Sequence, residues 1–455
     1  MKIKKIELKG YNQFKDVEID LTYPLGHAKE GKPLDKVCII GQSGTGKTSL
    51  LRLIKWFVSK DRNIDGNLKV PFPPKGKVEM DLQLFGDDFK IIYQDNELKY
   101  ADIEKKYINN DLTRITLISK QELGRIKPLL INYPTDMASA SWIKSEISEK
   151  GDGLTAAQEL EMKQIIDFAF EDIRKTWTYV LKDIKNNLAQ ELFFTKQIAE
   201  AAARTNPQVD EIEKKTQEYK KWMTDNPSPL KILAEKCLDP ILYNIGLKTK
   251  TDIDKNTILN LGFIELQTLC GVAVPNGFWS TGTRQLVQTM IPLYQLKPQN
   301  AIILVDEPER SLYPDIQRSI IDIYVKLAPK CQFFFATHSP IIASAFEPWE
   351  IVELKFDNEH KYVYRDLYYE GENHVNNYKY YPQYLRWDSI LRHIFDLEEE
   401  GNENRIDALE ELTEIMSQIK KLKDKGKLDS PEGKKLVDRY LALGVKLDWR
   451  VEGDE

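Results

Sequence analysis

Short alternating segments and apolar runs dominate the first sixty residues. Residues 2–8 and 17–21 alternate polar and apolar positions around the turn-forming segment 10–12, which predicts two strands joined by a turn. The fully apolar run 37–40 predicts a buried strand, and apolar residues recur at helical spacing over 50–57. The predicted order is strand, glycine-rich loop, helix.

The middle and later parts of the chain add further strands and helices. Residues 78–133 are rich in alternation and predict a β-region. Apolar residues step by three or four over 166–192, which predicts a long amphipathic helix, and a charged helix is predicted over 209–223. The runs 301–305 and 332–336 are typical of central parallel strands buried on both faces.

This pattern predicts an α/β fold with a mixed β-sheet and flanking helices, an inserted helical subdomain and a helical C-terminal tail. We place the N-terminal part of the core at 1–150, the helical insertion at 151–230 and the C-terminal part of the core at 231–355. Residues 356–455 form a C-terminal extension and a candidate partner-binding region.

Composition narrows the class of protein. Of 455 residues, 42% are hydrophobic, enough for a packed core, and 65 Lys+Arg against 71 Asp+Glu give a net charge of -6. This mild acidity argues against a protein that coats nucleic acid through its overall charge. A local basic groove is still compatible with it. The four scattered cysteines exclude a disulfide framework and a zinc clasp of paired cysteines. No signal peptide or apolar run of roughly 20 residues is evident, so we expect a cytoplasmic protein without a membrane partner.

Residues 41–48 match the phosphate-binding pattern G-x-x-x-x-G-K-[ST] in full, between the predicted strand and helix. Glycines let backbone N–H groups converge on phosphate oxygens, and the helix N-terminus adds partial positive charge. Lys47 should reach the β- and γ-phosphates, and the Thr48 hydroxyl should ligate Mg²⁺. The candidate binding residues here are Gly41, Ser43, Gly44, Gly46, Lys47, Thr48 and Ser49.

Two later strands end in candidate catalytic groups. Asp306 and Glu307 follow the run 301–305, at the strand end where open α/β sheets bind ligands. Asp306 can hold Mg²⁺ through water, and Glu307 can orient and polarise the attacking water. His338 follows the next strand, where its imidazole can hydrogen-bond the γ-phosphate or the water, although a lone histidine is usually structural. Lys47, Glu307 and His338 are the catalytic candidates, and Thr48 and Asp306 the metal ligands.

The segment 279–285 opens a predicted helix. Ser280 and the neighbouring backbone amides could form a second anion site, or Ser280 could be an ordinary helix N-cap. Spacing alone does not decide between these interpretations.

The order of the motifs resembles ABC-type ATPases of the SMC/RecF/OLD-like group over residues 1–355. The shared order is P-loop, long insertion, S-x-G-x signature, Asp-Glu strand and Thr-His-Ser-Pro. The resemblance implies an ABC-type P-loop ATPase head that hydrolyses ATP with Mg²⁺, with two heads enclosing two ATP molecules. Ser280, Gly282 and Thr283 would then contact the γ-phosphate on the partner's P-loop, which implies a homodimer of heads or a higher homo-oligomer.

The chain departs from the family pattern at two places. The usual Leu-Ser-Gly-Gly signature reads Trp-Ser-Thr-Gly over 279–282. The sequence does not fix the switch glutamine, for which Gln94 and Gln121 are both candidates.

The style of the motifs over 306–314 and 337–340 is OLD-like. The segment 369–372 resembles the opening of a Toprim nuclease, but no Asp-x-Asp follows, which favours coincidence. With this motif style, a compact insertion and a tail that lacks a Toprim nuclease, the chain is similar to ATPases of Septu-type anti-phage systems. Those ATPases work with a separate HNH nuclease.

Three functions follow as hypotheses. The first is an ATPase that regulates a partner nuclease in bacterial defence. The alternative is a RecF-like DNA-repair or chromosome ATPase that binds DNA without a nuclease partner. A transporter's nucleotide-binding subunit fits least, given the OLD-like motifs and the polar insertion. The aromatic and cationic residues of 378–387 could stack bases, anchor a protein partner or simply pack on the surface.

Overall fold

The computed structural model describes the following residues: 1–58, 76–84, 86–94, 97–101, 128–135, 163, 165–171, 174–204, 208–252, 264–367, 378–397 and 401–448. They form two compact units, Met1–Leu385 and Arg386–Glu455. The possible switch residue Gln121 and the segment 369–372 lie outside the described residues.

The strands of the first unit are β1 (Lys2–Tyr11), β2 (Phe14–Asp20), β3 (Lys36–Gly41), β4 (Lys77–Leu84), β5 (Asp87–Gln94), β6 (Glu97–Ala101), β7 (Leu130–Tyr133), β8 (Ile165–Asp167), β9 (Leu247–Thr249), β10 (Leu266–Thr268), β11 (Ala273–Val274), β12 (Ile302–Asp306), β13 (Gln332–Ala336), β14 (Ile351–Phe356) and β15 (Val363–Asp366). Over the described ranges, twelve of them form one sheet in the order β6-β5-β4-β1-β2-β15-β14-β3-β13-β12-β7-β8, and β11-β10-β9 form a small second sheet.

The large sheet has an antiparallel and a parallel part. Strands β1, β2, β4, β5 and β6 pair antiparallel, whereas β14, β3, β13, β12, β7 and β8 run parallel. Every residue of β12 and β13 is buried, as their largely apolar sequences predict. The predicted mixed α/β fold is therefore confirmed.

A buried glutamine joins the two parts of the sheet. Gln332 begins β13, and its Oε1 accepts a hydrogen bond from the backbone N–H of Ile3 at 2.6 Å. Its Nε2 donates to the Ile3 carbonyl at 2.9 Å. One side chain thus satisfies both backbone groups of a residue on β1, as a neighbouring strand would.

The helices are α1 (Lys47–Val58), α2 (Arg174–Ala202), α3 (Val209–Asp225), α4 (Pro229–Leu233), α5 (Asp239–Leu242), α6 (Thr281–Leu296), α7 (Pro314–Leu327), α8 (Pro340–Ala343), α9 (Trp387–His393), α10 (Glu403–Asp424) and α11 (Pro431–Lys446). None of the helices described is both long and apolar enough to cross a membrane.

The predicted helix over 166–192 is wrong at its beginning. Ile166 lies in β8, paired in parallel register with Ile131 of β7, and the helix begins only at Arg174. A strand of three residues is too short to show an alternating pattern. Ile166 therefore falls by chance into the helical spacing of the apolar residues that follow it. The predicted charged helix over 209–223 is confirmed as α3.

The second unit is helical in its described part. Helices α10 and α11 pack through a small apolar cluster of Leu412, Ile415, Leu443 and Leu447. Arg439 on α11 also reaches both carboxylate oxygens of Glu411 on α10, at 2.6 and 2.7 Å.

Candidate functional site

The loop between β3 and α1 has a backbone that requires glycine. Gly41, Gly44 and Gly46 have φ values of 143°, 88° and 93°, which L side chains rarely adopt. A Cβ added to Gly41 would lie 2.2 Å from the Leu354 carbonyl oxygen. The loop therefore passes close to β14 on its way to α1. Ser43 and Gly44 are exposed to solvent.

Lys47 lies buried beneath this loop. Its Nζ donates to the carbonyl oxygens of Gly41 at 2.7 Å and Gln42 at 3.0 Å. Burial lowers the pKa of Lys47 to about 8, and the carboxylates of Asp306, Glu307 and Glu309 oppose that shift. The ammonium group thus has backbone acceptors and three acidic neighbours.

The structure brings the P-loop and the acidic strand together. The Thr48 hydroxyl donates to Asp306 at the end of β12, with 3.0 Å to Oδ2 and 3.2 Å to Oδ1. Thr135, just after β7, donates from its hydroxyl to Asp306 Oδ2 at 2.8 Å. Hydroxyl and carboxylate oxygens are the ligands that Mg²⁺ prefers, so these groups fit a magnesium site.

Sequence reasoning missed Thr135. Its only signal is its position just after the apolar run 129–133, where a parallel strand ends. The pairing of β7 with β12 then brings that strand end beside Asp306.

Glu307 has an unusual backbone conformation. Its φ is 50°, in the left-handed region, and its N–H donates to the Ala336 carbonyl at 2.8 Å. Non-glycine residues in this region are uncommon and cluster at functional sites. The left-handed turn thus starts immediately after Asp306, at the residue that carries the second carboxylate.

His338 lies at the end of β13, next to the acidic strand. Burial and the nearby Lys47 ammonium lower the pKa of His338, while Glu307 and Asp306 oppose the shift. Its imidazole is therefore neutral at neutral pH. Its backbone N–H donates to Glu309 Oε1 at 2.9 Å, which ties the ends of β12 and β13 together.

Glu309 is a second residue that sequence reasoning missed. Burial raises the pKa of its carboxyl group, and hydrogen bonds from His338 and Thr337 oppose that rise. In the described part of the chain, its Oε2 is buried without a hydrogen-bond partner. Its only sequence signal is its place two residues after the Asp-Glu pair.

The predicted signature residues lie at the N-terminus of α6. Ser280 Oγ accepts from the Thr283 backbone N–H at 3.1 Å and lies 2.8 Å from the Thr283 hydroxyl, so Ser280 is an N-cap. Gly282 is buried, and a Cβ there would lie 2.3 Å from the Ser311 carbonyl oxygen. The structure thus places this segment against the loop after β12, with Ser280 exposed and Thr283 buried.

Of the two switch candidates, only Gln94 is described. It ends β5, is exposed, and pairs with Lys77 of β4 and Glu97 of β6.

Two family models match the chain. A model described as "AAA ATPase domain" matches residues 1–168, and one described as "AAA domain, putative AbiEii toxin, Type IV TA system" matches residues 177–344. Neither model alone reaches half of the chain. The chain is therefore similar to AAA ATPase domains over both parts of its core.

Solved structures of SMC head domains are also similar to the chain. An SMC head bound to the C-winged helix domain of ScpA has 13% identity and a TM-score of 0.42, covering 80% of this chain and 97% of that one. An SMC head with an extended coiled coil from Pyrococcus furiosus, bound to the C-terminal domain of ScpA, has 12% identity and a TM-score of 0.43, with 80% and 95% coverage. The SMC head from Thermotoga maritima has 13% identity and a TM-score of 0.38, with 80% and 98% coverage. A search of curated proteins found no match.

Proposed function

We propose that the protein binds and hydrolyses ATP with Mg²⁺ at the site formed by residues 41–48 and the ends of β12 and β13. The observation that carries this proposal is the contact between Thr48 and Asp306, at 3.0 Å. The two residues are 258 positions apart, yet they lie together beside a buried lysine. This arrangement has the parts that phosphoryl transfer requires, namely a phosphate cradle, metal ligands and a carboxylate for water.

Each residue has a distinct role in this proposal. The backbone N–H groups of the loop bind phosphate oxygens, and Lys47 turns from the loop carbonyls to the β- and γ-phosphates. Thr48 and Asp306 would hold Mg²⁺, and the ion would offset negative charge on the phosphates. Glu307 orients and deprotonates the attacking water, and the neutral imidazole of His338 donates a hydrogen bond to the γ-phosphate.

Replacing Glu307 tests the chemical step. Glu307→Gln should lower the ATPase rate by about 10²–10⁴-fold and leave ATP binding intact, because the amide cannot take the proton. The rate is measured by phosphate release and the affinity by calorimetry. Hydrolysis at the wild-type rate would show that Glu307 is not the base.

We propose further that this ATPase regulates a partner nuclease in bacterial anti-phage defence, through head dimers that enclose ATP. The motif style over 306–314 and 337–340 supports this role. It is also supported by the match to a model whose description names a putative toxin of a type IV toxin–antitoxin system.

Co-expression with the open reading frame next to the gene tests the partner, which we expect to be an HNH nuclease. We expect a stable complex and fewer plaques, both lost with Lys47→Ala. Absence of both effects would refute the defence role. ATP-dependent binding of duplex DNA by the chain alone would instead favour the RecF-like alternative.

A further inference from the structure

Two hairpins contact the P-loop along one side. A Cβ built on Gly46 would lie 2.3 Å from Gln13 Nε2, so the amide of the β1–β2 turn packs directly on the loop. A Cβ on Gly44 would lie 3.6 Å from Phe356 Cζ, at the end of β14. Residues from two distant segments thus border the phosphate-binding loop.

These two hairpins are held to each other. The Val363 N–H donates to the Gln13 carbonyl at 2.6 Å, which joins the β14–β15 hairpin to the β1–β2 turn. The rings of Phe356 and His360 meet edge to face, with centroids 5.9 Å apart. Asn12 and His360 have φ values of 49° and 53°, so each hairpin holds a non-glycine residue in the left-handed region.

The chemistry of this side differs from that of the catalytic side. Lys47, Asp306 and Glu307 surround the end of the site where the γ-phosphate reacts. The base of a nucleotide lies at the opposite end of the triphosphate. Gln13 and Phe356 are half-buried and His360 is exposed, so an amide and two aromatic rings remain accessible beside the loop.

We propose that Gln13, Phe356 and His360 form the base-contacting wall of the nucleotide site. This inference rests on the ATP-binding function proposed above and assigns its nucleoside specificity. Aromatic rings stack on the face of a base, and an amide can hydrogen-bond its edge. The wall therefore selects a nucleoside triphosphate over a bare polyphosphate.

Calorimetry of the full-length chain with two probes, MgATP and magnesium tripolyphosphate, tests the wall. Wild type should bind ATP more tightly than tripolyphosphate. His360→Ala and Phe356→Leu should each weaken ATP binding by about 5- to 100-fold and leave tripolyphosphate binding unchanged. The leucine retains apolar volume where Phe356 packs against the core. A third probe, MgGTP, tests the amide: Gln13→Ala should bring the affinities for ATP and GTP closer together.

Tyr243→Ala is the matched control, because Tyr243 is a 52% exposed aromatic residue just after α5. It should change neither affinity. Equal losses for ATP and tripolyphosphate, or no loss of ATP affinity in the wall variants, would overturn the proposal. Wild type binding tripolyphosphate as tightly as ATP would overturn the wall alone, whereas binding of neither probe would refute the ATP-binding function as well.

Discussion

At the scale of single residues, Lys47 shows how the fold adjusts an ordinary side chain. Its ammonium group is buried and its pKa is lowered to about 8, because desolvation outweighs the acidic neighbours. Without a ligand, the two loop carbonyls are its hydrogen-bond acceptors. A phosphate would add further negative charge and would replace the carbonyls as acceptor.

This pKa predicts proton uptake on ATP binding. As the pH rises through about 8, the nucleotide-free Lys47 loses its proton, whereas a bound triphosphate favours the ammonium form. ATP affinity should therefore fall above that pH, by up to about tenfold per pH unit. Calorimetry at about pH 8.5, in two buffers of different ionisation enthalpy, should show the proton taken up.

Lys47→Arg is the control for this effect. The guanidinium stays charged at every accessible pH, so proton uptake at that site should disappear even if affinity changes. Undiminished uptake in the arginine variant would assign the proton to another group.

At the scale of secondary-structure elements, one side chain links two strands, β1 and β13, that are not neighbours in the sheet. Gln332 is fully buried and pairs with both backbone groups of Ile3. The amide thus takes the place of a paired strand for this residue of β1.

Gln332→Leu should destabilise the protein although it adds apolar surface to the core. The Ile3 N–H and carbonyl would each lose a partner in a buried position, at about 1–3 kcal/mol apiece. Chemical unfolding should therefore move to lower denaturant concentration. The exposed Gln383→Leu should leave the transition unchanged, and a similar shift in both variants would contradict the role of Gln332.

The sequence predicts those parts of the site that lie within one continuous segment, but not those that depend on which strands pair. The P-loop was predictable because its chemistry lies within eight consecutive residues, and the Asp-Glu pair because it directly follows a buried run. Thr135, Glu309 and Gln332 were not predicted. Their contacts depend on which strands become neighbours, and local periodicity carries no information about pairing between strands far apart in the chain.

At the scale of the whole molecule, the proposed head dimer gives a role to the exposed N-terminus of α6. Ser280 is exposed there, on a helix that packs against the loop following Asp306 and Glu307. In the proposed head dimer, this serine meets the ATP held by the other copy.

Ser280→Arg in a Glu307→Gln background should abolish an ATP-dependent dimer while ATP binding is retained. The long cation would occupy the space that the partner's γ-phosphate needs. Light scattering after gel filtration measures the mass. Ser430→Arg is the control for losing a helix cap, because Ser430 caps α11 through the Gly433 N–H at 3.1 Å. An unchanged dimer in Ser280→Arg would place the interface elsewhere.

The last strand of the large sheet bears on how the protein avoids aggregation. In the described part of the chain, β8 ends the parallel half and has only three residues. Its Asp167 accepts from the Lys55 ammonium at 2.7 Å and from the Asn132 amide at 2.7 Å, so a charge is held at the rim of the sheet. A strand this short offers a foreign chain few backbone groups to pair with. Fibril-like growth along this rim is therefore disfavoured.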